Sequence, residues 1–303
     1  MEHDMKEQLR NSGIISGKIA LRIFKDEYLR WILNSKWLVL AILLVLMREL
    51  IICPMLAAAG DIDQIINLIE PAVAVGNSGV ILLLLPLFYL LLTSDFPRVG
   101  SNLYYLLPRA GRINWVLGEL LFSLVSAATY LLALIVASCA QVFRDAYFIN
   151  GWSIVTTHYD YMRKGQDAVV SMNSLIPGQL YNQMPPFQAF ALTYGLLLLY
   201  LWFWGSLILF ASLYAKKKLT LWIEVALIAA GTAFAALRSP LVWLFPSGHT
   251  IVWLHYQNYY RQYVFPIWGS ILFFLGGLIM MHILIYRRAG AVSLDVLWEE
   301  KTE

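Results

Sequence analysis

The run Phe187 to Tyr214, FQAFALTYGLLLLYLWFWGSLILFASLY, holds no Asp, Glu, Lys or Arg and lies within a charge-free stretch between Asp167 and Lys216. A helix crosses a bilayer in about 20 apolar residues, so this segment is long enough to span. Four other stretches lack charge as well: Glu70 to Asp95, Glu119 to Arg144, Arg238 to Arg261, and Arg261 to Arg287. Of 303 residues, 14% are charged and 60% apolar, whereas a soluble domain carries about a quarter charged and about half apolar residues. Too little charge is left to cover a globule in water. A polytopic membrane protein is expected, and disordered, collagen-like and disulfide-rich classes are excluded. Many of the 11 Trp, 17 Tyr and 15 Phe lie at the ends of these stretches, where amphipathic rings favour the headgroup level.

The net charge of +3 gives a nucleic-acid partner no support. Cys53 and Cys139 sit in apolar runs without a partner at metal spacing and read as small buried hydrophobes. The first thirty residues mix acids and bases without an early apolar core, so no cleaved signal peptide is expected and the first span serves as the anchor.

The reading outward from Phe187 gives an all-α integral membrane protein, one membrane domain over residues 1–303. Residues 18–33 form an interfacial amphipathic helix with Ala20, Leu21, Phe24, Tyr28, Trp31 and Ile32 on its apolar arc. Six spans follow: Lys36 to Ala58, Val75 to Ser94, Asn114 to Ala140, Phe187 to Tyr214, Leu219 to Leu237 and Val264 to Tyr286. Residues 238–262, broken by Pro240, Pro246 and Gly248, read as a re-entrant or interfacial hairpin. The 141–186 connection carries Trp152, Tyr159, Tyr161 and Tyr181 and is expected to form a small ordered cap.

Lys and Arg fix the orientation. Seven precede or open the first span (Lys6, Arg10, Lys18, Arg22, Lys25, Arg30, Lys36), three lie in the 95–113 loop, three at 216–218 and three in the tail. The alternate loops hold five, namely Arg144, Arg163, Lys164, Arg238 and Arg261. Sixteen against five, with Arg48 inside a span, places both termini in the cytoplasm by the positive-inside rule. The 141–186 connection is then extracytoplasmic.

Four charged residues fall within spans. Arg48 and Glu49 lie near the middle of the first, where each costs about 2.5–3.5 kcal/mol, and are expected to face the bundle or a wet cavity. Glu119 and Glu224 lie near the cytoplasmic ends of theirs and are expected to snorkel. Packing and a translocation path are both open to Arg48 and Glu49.

The hairpin string Pro246-Ser247-Gly248-His249 resembles the second motif of the membrane phosphatidic-acid phosphatase superfamily. The cationic residues that would stabilise a phosphoryl charge are missing at their spacing, so a proline turn with a Ser or Thr helix cap is the expectation. Ser247, Ser270, His255 and His282 admit a Ser–His dyad on paper. A lone His282 in an apolar span reads as a hydrogen-bonded structural residue. No G-x-x-x-x-G-K-[ST] string occurs, so the chain does not cradle ATP alone. No HExxH and no His/Cys cluster occurs, so no catalytic residue and no metal is assigned.

The first cytoplasmic loop carries a family resemblance. Thr93-Ser94-Asp95-Phe96-Pro97-Arg98-Val99-Gly100, then Tyr104-Tyr105-Leu106-Leu107-Pro108-Arg109-Ala110-Gly111-Arg112, then Trp115-Val116-Leu117-Gly118 resembles the permease subunits of type-2 ABC exporters, most nearly those of Gram-positive bacteria whose cargo is uncharacterised. Glu119 stands where that family has Lys or Gln. The resemblance implies a multi-pass subunit of the bacterial cell membrane that pairs with a second permease and with ABC ATP-binding subunits holding ATP and Mg. A short helix, Ser101 to Leu107, would dock on the ATPase. Asp95, Arg98, Gly100, Tyr104, Tyr105, Arg109 and Arg112 would make the coupling contact, braced by Phe24, Tyr28 and Trp31. A gradient-driven carrier, favoured by Arg48 and Glu49, is the alternative. A membrane lipid phosphatase is the second.

Overall fold

The structure, a computed structural model, describes residues 15–98, 107–163, 171–214, 216–257 and 262–289. It begins with α1 (Gly17–Ile32) and α2 (Trp37–Asp61). Next come α3 (Glu70–Asn77), α4 (Gly79–Leu92) and α5 (Arg112–Val142). Three short helices follow, α6 (Ile154–Met162), α7 (Met172–Leu175) and α8 (Gly178–Tyr181). The chain continues through α9 (Pro186–Ser212), α10 (Lys217–Ala236) and α11 (Ile267–Ala289). Sheet is confined, among the described residues, to a parallel pairing of β1 (Ile66–Asn67) with β2 (Ala146–Tyr147).

Five helices (α2, α5, α9, α10 and α11) are long and apolar enough to cross a membrane, and α3 with α4 make a sixth candidate bent by 83°. This is the architecture of a multi-pass helical membrane protein. Five of the expected spans coincide with these helices to within a turn at each end. The sixth, Val75 to Ser94, is not continuous. Ser78 leaves helical geometry with ψ 129°, and side chains take the place of the interrupted ladder. The Asn77 amide donates to Val73 O and to Thr193 Oγ1, both at 2.9 Å, while the Trp253 indole donates to Asn77 O at 3.1 Å.

α9 is the hub. Its most apolar stretch is 61% buried within the chain, against 22% for α10 and 17% for α11. Lipid competes with apolar side chains, so close packing and interhelical hydrogen bonds hold such bundles. Accordingly, Tyr130 donates to Leu85 O at 2.7 Å, Tyr89 pairs with Ser126 Oγ at 3.1 Å, and Gly205 lets α9 approach Ser123 and Tyr89. His282 meets Ser206 Oγ at 3.3 Å, the structural partner expected of it. Cys53 and Cys139 are free and half-buried, less enclosed than their apolar surroundings suggested.

Within α2, residues Arg48–Ile52 form a π-helical turn. Pro54 has no N–H for the Leu50 carbonyl one turn earlier, and the helix widens immediately before it. At the far end of α2, Asp61 accepts from Tyr159 at 3.0 Å and pairs with Arg163. Glu70, at the start of α3, is fully buried. Its carboxylate accepts from the Ser153 backbone N–H, Ser153 Oγ (2.7 Å), Thr156 Oγ1 (3.0 Å) and the Asn67 N–H (3.3 Å). These contacts seat the N-terminus of α6 on the bundle, so the described part of the 141–186 connection forms a cap.

Candidate functional site

The opposite end of the bundle gathers α1, the segment after α4, and the start of α5. Ala20, Ile23, Glu27 and Trp31 line the buried face of α1, at the spacing of one helical stripe. This face is rotated from the expected one: Phe24 and Tyr28 are half-buried, and Leu21 and Ile32 are exposed. The reason lies on α5. Gly118 leaves room for Ala20 and Ile23, and a Cβ there would stand 2.9 Å from Ala20 O and from Ile23 Cβ. Close approach at this point turns Ile23 and Glu27 inward. The Ser16 N–H donates to Asn114 Oδ1 at 2.8 Å, and Tyr28 OH meets Thr129 Oγ1 at 2.9 Å.

Trp31 is the pivot. It is 3% exposed, its indole donates to Leu92 O at 3.1 Å, and its ring packs edge-on to Trp37 and Phe122. It thereby satisfies one of the carbonyls that the last turn of α4 leaves open. Beyond Leu92, Asp95 accepts from Lys36 Nζ at 2.6 Å and from Asn34 at 3.3 Å. Burial would raise the Asp95 carboxyl, but the Lys36 ammonium bonded to it, helped by the charge of Arg98, holds it below the ordinary value. Arg98 Nε pairs with Glu27 at 3.3 Å, and its guanidinium donates to Arg30 O at 3.4 Å. Burial keeps the Glu27 carboxyl above its ordinary value although Arg98 and Arg30 pull it down.

Arg98→Ala is expected to destabilise the protein by about 1–3 kcal/mol, because it leaves Glu27 buried without its partner. Thermal unfolding of purified protein reads this, and adding Glu27→Gln in the same chain recovers most of the loss. A double variant no more stable than Arg98→Ala alone would exclude the pair as the cause.

Asp95 and Arg98 are thus fastened to α1 and the turn after it, Phe24, Tyr28 and Trp31 form a series of neighbouring rings on α1, and Arg109 and Arg112 are exposed. Gly100, Tyr104, Tyr105 and most of the expected Ser101 to Leu107 helix lie outside the described residues. Residues 107–110 are helical. Glu27 escaped the sequence reading, although its spacing from Ile23 and Trp31 puts it on the same stripe.

The charges within spans depart from expectation. Arg48 and Glu49 are exposed on the flank of the chain and do not face the bundle; the inward positions belong to Met47, Ile51 and Ile52 on either side. Glu119 and Glu224 do not snorkel, being 3% and 0% exposed. Glu119 lies under α1 next to Trp115 and Glu27. Glu224, two turns into α10, faces inward near Tyr89 and Tyr200, and neither of its oxygens has a hydrogen-bond partner among the described residues.

A second cluster occupies the hairpin between α10 and α11. The string from Pro246 enters a 3-10 turn at Gly248–Thr250, but the expected hydroxyl cap is absent: Ser247 Oγ meets Tyr200 OH at 3.0 Å instead. His249, His255 and Ser270 are brought together, whereas His282 lies elsewhere on Ser206. Ser270 is fully buried, with an imidazole nitrogen on each side of its hydroxyl. No group of three or more His, Cys, Asp or Glu suited to a metal occurs among the described residues.

Fold and site together define a multi-pass helical membrane protein with an amphipathic helix clamped across one end of its bundle. No protein-family model, no curated protein and no solved structure matches the chain.

Proposed function

We propose that this chain is the permease subunit of an ATP-driven exporter of the type-2 ABC class, set in the bacterial cell membrane with both termini cytoplasmic. One observation carries the reading: the end of α4 and the segment after it are fastened to α1 through Trp31–Leu92 and Arg98–Glu27, and α1 is fastened to α5 at Gly118. A push on residues 93–98 thus has a packed route into two spans. Arg109 and Arg112, exposed at this end, supply positive charge for an acidic surface on a separate ATPase, which holds ATP and Mg. Arg48 and Glu49 support pairing with a second permease chain, since opposite charges side by side on an exposed flank find their complements across such an interface.

Tagged protein isolated from native membranes is expected to bring down an ATP-binding chain. Arg109→Glu with Arg112→Glu abolishes that capture and any ATP-driven transport while the protein stays in the membrane. Undiminished capture in the double variant would end the coupling assignment, and transport that follows an ion gradient without an ATPase would favour a carrier.

A further inference from the structure

The polar contacts among His249, Ser270 and His255 do not balance with neutral side chains. His249 Nε2 lies 3.0 Å from Trp243 O, and His255 Nδ1 lies 2.9 Å from Ile251 O. A carbonyl only accepts, so each of these ring nitrogens carries a proton and donates it. The other nitrogen of each ring, His249 Nδ1 and His255 Nε2, lies 2.8 Å from Ser270 Oγ. In a neutral ring that nitrogen is an acceptor. The serine hydroxyl has one proton to give and two acceptors to serve. Four contacts share three protons, and one of them sets a lone pair against a lone pair.

One added proton removes the mismatch. With either ring as imidazolium, that ring donates to Ser270 Oγ, the hydroxyl donates to the other ring, and all four contacts are hydrogen bonds. One neighbour favours a cation. Phe273 stacks on His249 at 4.2 Å between centroids and 17° between planes, and an aromatic face attracts a cation most where water is excluded; both histidines are buried.

The geometry points to a one-proton binding site: His249, Ser270 and His255 take up a single proton shared along the string, and no second one. The second is excluded because two imidazoliums would face each other across one hydroxyl. On the elements around the hairpin, Tyr200 of α9 bonds to Ser247 and has Glu224 of α10 near it, while on the hairpin Tyr256 pairs with Tyr263 and Arg238 lies over the Trp253 ring; the charge that acts on His255 is that of His249. Burial, the larger influence, draws both imidazoles below their ordinary value, His255 to about 4 with His249 adding to the depression. The string opposes burial. The site is independent of the exporter reading and stands whether or not that reading holds.

The test is a pH titration of 15N-histidine-labelled full-length protein in lipid nanodiscs, with His3, His158 and His282 assigned by single substitution. The expected result is one coupled step, in which the His249 and His255 signals move together and account for one proton. Ser270→Ala uncouples the rings and lowers the midpoint by about one to two pH units, the worth of one charge-assisted hydrogen bond. Ser270→Thr, which keeps the hydroxyl, retains the step. Wild-type rings that stay neutral from pH 7.5 to 4, or that take two protons in separate steps, overturn the proposal without recourse to any variant. An unchanged midpoint in Ser270→Ala overturns it as well.

Discussion

Glu70→Ala is expected to lower the unfolding temperature of the purified protein by about 10 °C, which corresponds to about 3–5 kcal/mol in a chain of this size. The carboxylate is fully buried and takes four hydrogen bonds, from Asn67, from Thr156 and twice from Ser153. Its removal strands those donors away from water, and each stranded buried donor costs about 1–3 kcal/mol. The damage is directional. Ser153 and Thr156 open α6, so the cap lifts before the bundle melts, and limited proteolysis should cut between residues 147 and 185 at temperatures where the wild type is intact. Glu70→Gln keeps the shape and one acceptor oxygen and should fall between the two. A melt within about 2 °C of wild type for the alanine variant would remove Glu70 as the anchor of the cap.

Gly118→Leu is expected to detach α1 from the bundle. Even a methyl group at this position would stand 2.9 Å from the Ala20 carbonyl oxygen, a backbone atom that cannot swing aside. Gly118→Ala should therefore cost about 1–3 kcal/mol through overpacking, and the longer side chain cannot be housed without moving the helix. Once α1 moves, Trp31 leaves Leu92 and Glu27 leaves Arg98, so the clamp fails as a unit. Trypsin should then cleave after Lys18, Arg22 or Lys25 far faster than in the wild type, while α5 stays helical and the spans stay protected. Equal cleavage rates would show that α1 is held by its aromatic residues alone. In the exporter reading, the leucine variant also loses transport but keeps its ATPase partner, which separates failed transmission from failed docking.

The spans were legible because lipid demands long runs without charge, and such runs are visible in one dimension. The break at Ser78 was not, since the groups that satisfy it, Thr193 and Trp253, lie 116 and 176 residues from Asn77. Part of the clamp was legible: Trp31 lies on the apolar arc of residues 18–33, and Asp95 and Arg98 stand in the loop after the second span. Glu27 and Gly118 were harder, because a buried acid on an amphipathic helix resembles a solvated one until the guanidinium that covers it is placed. Glu119 and Glu224 were misread for a related reason. Closeness to a helix end says that a charge can reach water, and only the neighbouring helices decide whether it does. Arg48 and Glu49 depart in the other direction, since the inward positions at that level are filled by Met47, Ile51 and Ile52 and a charge count along the chain does not show which side of the helix a residue takes.

The wide turn at Arg48–Ile52 broadens the inward face of α2. Before it, Leu40, Leu43 and Met47 face inward at intervals of three and four, and the same rhythm carried onward buries Ile51 and Ala58. After it, Ile52, Met55 and Ala59 are buried as well, on a line one residue, or about 100° around a helix axis, beyond that rhythm. The far half of α2 is thereby enclosed on a wider arc, and its end meets Tyr159 and Arg163 through Asp61. The two halves of one span thus answer to different neighbours, the cap at one end and the bundle at the other, and five residues join them.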